Sequence, residues 1–116
     1  VYDLLTLAVN KKSSSLLSKI DNLAISSDPY MTMGFLISQV IKLTAYLRLN
    51  KNISDLMSLG YPSWMLKDVA SMRALRRSEL KEIIRILERA DNNLKSTGAD
   101  LAWTHIRQAL IEIATI

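Results

Sequence analysis

Apolar residues recur along the chain at three- and four-residue intervals, and no stretch alternates with period two for long enough to form a strand. Leu4, Leu5, Ala8 and Val9 mark a short first helix over Val1–Val9, interrupted by Lys11-Lys12-Ser13-Ser14-Ser15. Any of these serines can cap the next helix, whose face is Leu16, Leu17, Ile20, Leu23 and Ala24. Asp28-Pro29 is the clearest start signal. Asp28 can accept from the orphan N–H groups of a first turn, and Pro29 has no N–H to lose and a preset φ. The helix it opens runs to about Asn50 and is apolar on most sides, through Met33, Leu36, Ile37, Val40, Ile41, Leu43 and Leu47. Gln39, Lys42 and Arg48 interrupt it, so a buried central helix fits better than a membrane span. Asn52 caps a short helix through Leu56, Met57 and Leu59, which Gly60 ends in a left-handed conformation. After the Tyr61-Pro62 corner comes a helix with Trp64, Met65, Val69, Met72 and Leu75. Ser78 is placed to cap a helix striped by Leu80, Ile83, Ile84, Leu87, Ala90 and Leu94, which Thr97-Gly98 ends. A last helix carries Leu101, Ala102, Ile106, Ala109, Leu110 and Ile113. The pattern predicts an all-α fold: one domain over residues 1–116, a compact bundle of six or seven helices without repeat or linker.

Composition narrows the chemistry. The 116 residues are 49% hydrophobic, and a chain this size buries roughly 65% of its unfolded surface, enough for one core without staples. No cysteine is present, which excludes a disulfide framework, thiolate zinc sites and a Cys nucleophile. A lone histidine removes most imidazole metal sites and nearly all histidine acid–base pairs. A net charge of +4 permits an acidic partner without requiring one. Val1–Val9 lacks the basic flank and cleavage site of a signal peptide. Without an initiator Met, the sequence reads as a piece of a longer, intracellular chain.

No catalytic constellation emerges. The carboxylates are scattered over helix surfaces and starts, in no paired-acid or Glu-x-x-His spacing. Gly34, Gly60 and Gly98 are isolated, so no phosphate loop exists. The Ser13–Ser15 run has no elbow glycine or partnered base. His105, beside Trp103 on the apolar stripe of the last helix, reads as a packed or half-exposed side chain, not a ligand. The chain is therefore expected to carry no catalytic, metal or cofactor site.

Three features remain. Residues 53–77 have the outline of a helix-turn-helix followed by Arg73, Arg76 and Arg77, which makes a stand-alone DNA-binding domain the alternative reading. Leu56 occupies the position four before Gly60, where such turns want a small residue. The second helix also begins on apolar Trp64, Met65 and Leu66, so plain packing is favoured. The arginines, with Lys81, Arg85 and Arg89, then line a solvated or partner-facing surface. Asp91 falls on the apolar side of its helix between Leu87 and Leu94, with Lys95 four residues on in the favourable order for an ion pair. It is either an exposed structural pair or a half-buried tie to a neighbouring backbone donor. On the long helix, Met31, Thr32, Phe35, Ser38, Gln39, Lys42 and Tyr46 share one arc at about 100° per residue. That arc mixes aromatic and polar groups opposite a wholly aliphatic one, and it covers a neighbouring helix or meets another protein.

The order of these pieces resembles the C-terminal domain of the delta subunit of the bacterial DNA polymerase III clamp loader. Val1-Tyr2-Asp3-Leu4-Leu5 resembles that family's Phe-Asp-Leu-type boundary segment, which puts residues 1–10 near the junction with a preceding domain. Phe35-Leu36-Ile37-Ser38-Gln39 is similar to its leucine-rich helix with a glutamine. Leu59-Gly60-Tyr61-Pro62-Ser63-Trp64-Met65-Leu66-Lys67 is similar to its corner and following helix, with Tyr61 where the family often has His. Leu80 followed by Ala90-Asp91…Leu94-Lys95-Ser96 is the most specific match. The resemblance covers the whole chain but about the last third of a full delta subunit.

It implies a non-catalytic oligomerisation module, one segment of the collar that holds together the five-subunit assembly loading the sliding clamp onto primed DNA in replication. The implied partners are the ATPase subunits and delta-prime through the collar. The sliding clamp would be reached only through the missing N-terminal region, and DNA only indirectly; no membrane and no cofactor is implied. The location implied is a bacterial cytoplasm. The module would carry no active site, although the parent holoenzyme is a DNA-directed DNA polymerase, a nucleotidyltransferase. On this reading Phe35, Gln39, Lys42 and Tyr46, extended by Trp64 or Trp103, are the candidate interface with a neighbouring domain. Asp91 and Lys95 form a structural pair.

Overall fold

Three of the helix ends turn the chain through left-handed backbone. The computed structural model describes residues 3–62 and 66–116. Among them, α1 (Leu4–Val9), α2 (Ser13–Ser26), α3 (Pro29–Arg48), α4 (Ile53–Ser58), α5 (Lys67–Ala70), α6 (Arg77–Ser96) and α7 (Ala102–Ala114) account for nearly all of the regular structure. No strand occurs among the described residues, so the fold is all-α with seven helices.

After α1, α3 and α4, the residues Lys11, Asn50 and Gly60 take φ values of 60°, 53° and 99°. In each case the N–H of that residue and the next one turn back onto the helix. Lys12 N donates to Leu7 O, Lys51 N to Tyr46 O and Tyr61 N to Leu56 O, at 2.9, 2.8 and 3.2 Å. These are Schellman closures, which satisfy the orphan carbonyls of a last turn. Gly60 announces one of them in sequence; Lys11 and Asn50 do not.

Helix starts are less uniform. Asp28 caps α3 as expected, its Oδ1 accepting from Tyr30 N at 3.0 Å with Pro29 in the first turn. Asn52 caps α4 by accepting from Asp55 N at 3.2 Å. The Ser13–Ser15 run does not cap α2: Lys12 holds the cap position and the serines lie inside the first turn. Ser78 does not cap α6 either. That start is closed by Glu79, whose Oε1 accepts from Arg76 N at 2.8 Å. Of the helix expected across 63–75, the described part is only the single turn of α5, followed by an irregular stretch to Arg76.

The main core gathers Leu4, Leu5, Leu16, Ile20, Met33, Leu36, Ile83, Leu87, Ile106 and Leu110 from α1, α2, α3, α6 and α7. Helix α7 is its centre, packed on α6 and α1 and reaching α2 and α3. A smaller cluster of Leu43, Tyr46, Leu56, Leu66, Val69 and Leu80 lies under α4 and α5, and Met72, Leu75 and Ile84 border both. The radius of gyration is 14.0 Å, near the ~13 Å expected of a compact chain of this length. Among the described residues no helix is long and apolar enough to cross a membrane.

Candidate functional site

Helix α3 buries much of its mixed arc together with Met33, Leu36, Val40 and Leu43 of its aliphatic side. Its mixed arc faces inward: Thr32, Gln39, Lys42 and Tyr46 are buried. Aliphatic Ile41 points outward and is 56% exposed. The inward polar groups meet a carboxylate from α5. Lys42 Nζ lies 3.2 Å from Asp68 Oδ2, and Gln39 Nε2 donates to the same oxygen at 2.9 Å. A helix-interior lysine and glutamine tolerate this position because Asp68 supplies charge and acceptor together; alone, either would be costly to bury. The Asp68 main chain is held as well, its carbonyl accepting from Ser71 Oγ at 2.7 Å.

The interface candidates are therefore divided. Gln39, Lys42 and Tyr46 pack within the domain and have no surface to offer a neighbour, which corrects the expectation for them. Phe35 is half-buried on the same helix. Trp103 is half-buried against the main core at the start of α7, some distance along the chain from that arc. Trp64 lies outside the described residues. The Asp91–Lys95 pair is present, Nζ to Oδ2 at 2.9 Å, with Asp91 half-buried. His105 Nε2 and Thr97 Oγ1 are 3.0 Å apart, which ties α7 to the end of α6.

Most of the basic residues serve internal contacts. Arg73 is a hub where an open surface arginine was expected. Its Nε donates to Val9 O at 2.8 Å, and its NH2 donates to Glu79 Oε2 at 3.1 Å and to Ile116 O at 3.3 Å. Its backbone N donates to Asn10 Oδ1 at 2.7 Å. One guanidinium thus joins the ends of α1 and α7 to the start of α6. Glu79 is held below the usual glutamate range, first by the Arg76 N–H and then by the Arg73 guanidinium. Arg85 pairs with Glu82 on α6, and Arg89 pairs with Glu112 of α7.

What the inward turn of α3 leaves outside is an apolar groove. Between α3 and α6 lies a depression of about 690 Å³ whose walls include Ile37, Ile41, Ala45, Ile84 and Leu87, closed at one side by Leu49 and Leu59. Leu59 is 65% exposed. Glu88 and Asp91 stand on its α6 rim. A second depression of about 510 Å³ continues it, sharing Thr44, Arg48 and Ile84 and adding Leu47, Leu75, Leu80, Arg77 and Lys81. Sequence pattern missed this groove because a helix apolar on most sides does not reveal which side the rest of the chain will cover. The one available signal was the surplus itself: α3 carries more aliphatic residues than one buried stripe needs.

Among the described residues no group of three or more His, Asp or Glu side chains comes together as a metal site. Comparison with known protein families, curated proteins and solved structures gives no match.

Proposed function

We propose that this chain is a non-catalytic oligomerisation module of the clamp-loader collar type, as in the delta subunit of DNA polymerase III. It would bind related helical domains of the ATPase and delta-prime subunits in a bacterial cytoplasm. The observation that carries this reading is the groove between α3 and α6, where continuous apolar surface stays open to solvent on an otherwise well-packed helical domain. Contiguous exposed apolar surface rimmed by charge is the usual mark of a protein-binding face. The surface expected to serve, the Gln39–Tyr46 arc, is used up internally, so the binding face moves to the opposite side of α3. The sequence signature Ala90-Asp91…Leu94-Lys95-Ser96 adds support, since Asp91 sits on the groove's rim.

Size exclusion with light scattering tests the reading. The chain mixed with the C-terminal domains of the ATPase and delta-prime subunits forms a defined mixed complex that persists at ordinary salt. A monomer in every mixture, with DNA binding that falls steeply as salt rises, would move the chain to the nucleic-acid class instead.

A further inference from the structure

The groove between α3 and α6 has opposite charge at its two ends. Along α6 its lining runs from Arg77 and Lys81, through Ile84 and Leu87, to Glu88 and Asp91. That is ~21 Å at 1.5 Å per residue, about four turns of helix. On the α3 side, Arg48 lines both depressions, beside Arg77 and Lys81 in the second, while Ile37, Val40 and Ile41 line the first together with Glu88 and Asp91. Asp91 already holds Lys95 at 2.9 Å, so Glu88 carries most of the unspent negative charge at that end.

We propose that this groove binds one amphipathic α-helix of a partner protein, its apolar stripe seated on Ile41, Ile84 and Leu59, with acidic side chains at the end over Arg48, Arg77 and Lys81 and a basic side chain at the end over Glu88. This deepens the interaction-module reading and rests on it. Three features of the groove single out that occupant. The two adjoining depressions are lined from Arg77 to Asp91 along α6 and from Ile37 to Arg48 along α3, a span that a third helix can follow through anchors at i, i+3 or i+4, and i+7. Its walls are aliphatic, and Ile41 and Leu59 are open to solvent at 56% and 65%. Arg77 and Lys81 line one end and Glu88 and Asp91 the other, so a helix with separated charges is matched at both ends in one seating direction and places like charges together in the other.

The test uses synthetic fluorescent peptides of about four helical turns. One has a leucine stripe at helical spacing, with glutamates at its N-terminal end and lysines at its C-terminal end. A second, of identical composition and with the same stripe, mixes glutamate and lysine at both ends, so that neither seating direction complements the groove. A third has the same residues scrambled so that no stripe forms. Fluorescence anisotropy and amide chemical shifts of the labelled chain are followed during titration. The expected result is that the peptide with separated charges binds about fivefold more tightly than the one with mixed ends, the difference narrowing with salt. The scrambled peptide does not bind, and the shifts centre on Ile41, Ile84 and Glu88. Ile41→Glu or Leu59→Glu abolishes binding while thermal unfolding is unchanged, both residues being exposed. Equal binding of all three peptides, no binding of any, or shifts that avoid α3 and α6 would overturn the proposal. A homodimer dispersed by Ile41→Glu would overturn it too, by assigning the groove to a second copy of the chain. The two readings fail separately. Peptide binding without a complex with clamp-loader domains sinks the collar reading alone, and a complex indifferent to Ile41→Glu and Leu59→Glu sinks the groove alone.

Discussion

Lys42 of α3 and Asp68 of α5 face each other at 3.2 Å with side chains only 10% and 18% exposed, so the single turn of α5 is fastened to the longest part of the fold by a nearly dry ion pair. The pair is reinforced by Gln39, which donates to the same carboxylate oxygen. Breaking such a pair leaves one charge stranded, which costs more than the pair contributes when intact. Asp68→Ala is expected to destabilise the chain by about 3 kcal/mol in urea unfolding. Replacing both partners, Lys42→Met with Asp68→Leu, recovers most of that loss. A double variant as unstable as Asp68→Ala would show that the pair contributes more than packing can replace.

Arg73 supports a second prediction. Its guanidinium donates to the main-chain carbonyls of Val9, Ala74 and Ile116 and to the Glu79 carboxylate, and no smaller donor can span them all. Arg73→Ala is expected to cost roughly 2 kcal/mol. Hydrogen exchange should rise first in the last turn of α7 and the last turn of α1. Arg73→Lys recovers a minor part, because one ammonium lacks the forked geometry. Uniform loosening across all helices would contradict the hub.

Glu79 gives the hub a pH signature. Its carboxyl is held below the ordinary 4.5 by the Arg76 N–H and by Arg73, so the folded state binds this proton more weakly than the unfolded state. The stabilisation is therefore complete above about pH 4.5 and is lost as pH falls below it, through the folded-state value. Unfolding midpoints measured from neutral pH downward should drop in that window, and Glu79→Gln should flatten the drop. An unchanged slope in Glu79→Gln would assign the acid sensitivity to other carboxylates.

Lys51 supplies a stabilising change. It follows Asn50 in left-handed space, with φ 63°, where a Cβ is strained. Lys51→Gly removes that strain, offset in part by greater freedom of the unfolded chain, and is expected to stabilise by about 0.5–1 kcal/mol. A lowered melting temperature would mean that the lysine side chain contributes packing that outweighs the strain.

Much of the helical framework was legible because its signals are local. Asp28-Pro29 opens α3, Gly60 closes α4, and the stripe from Leu80 to Leu94 is buried along α6 much as its spacing suggests. The Ser13–Ser15 and Ser78 caps failed locally, where Lys12 takes the cap position and Glu79 accepts from Arg76 N; the larger errors turn on contacts between residues far apart in sequence. Gln39 and Lys42 stayed open between an internal contact and an interface because Asp68, 29 residues from Gln39, is invisible to helical periodicity. Val69, Met72 and Leu75 keep helical spacing, yet Asn10 and Val9 take up Arg73 and draw the chain out of the helix. The groove was illegible for the same reason, since which side of α3 stays bare depends on where α5 is fastened. Lys11 and Asn50 end their helices without glycine, so no residue type announced those turns.

The central claim is that the bare side of α3 is a protein-binding face, and calorimetric titration tests it most directly. The chain is titrated with the C-terminal domains of the ATPase and delta-prime subunits at two temperatures, beside Ile41→Glu as a control expected to fold within about 0.5 kcal/mol of the parent. The account predicts saturable binding with a negative heat-capacity change, the mark of apolar burial, and its loss in Ile41→Glu. No heat of binding with any partner domain, or binding that Ile41→Glu leaves intact, would contradict it.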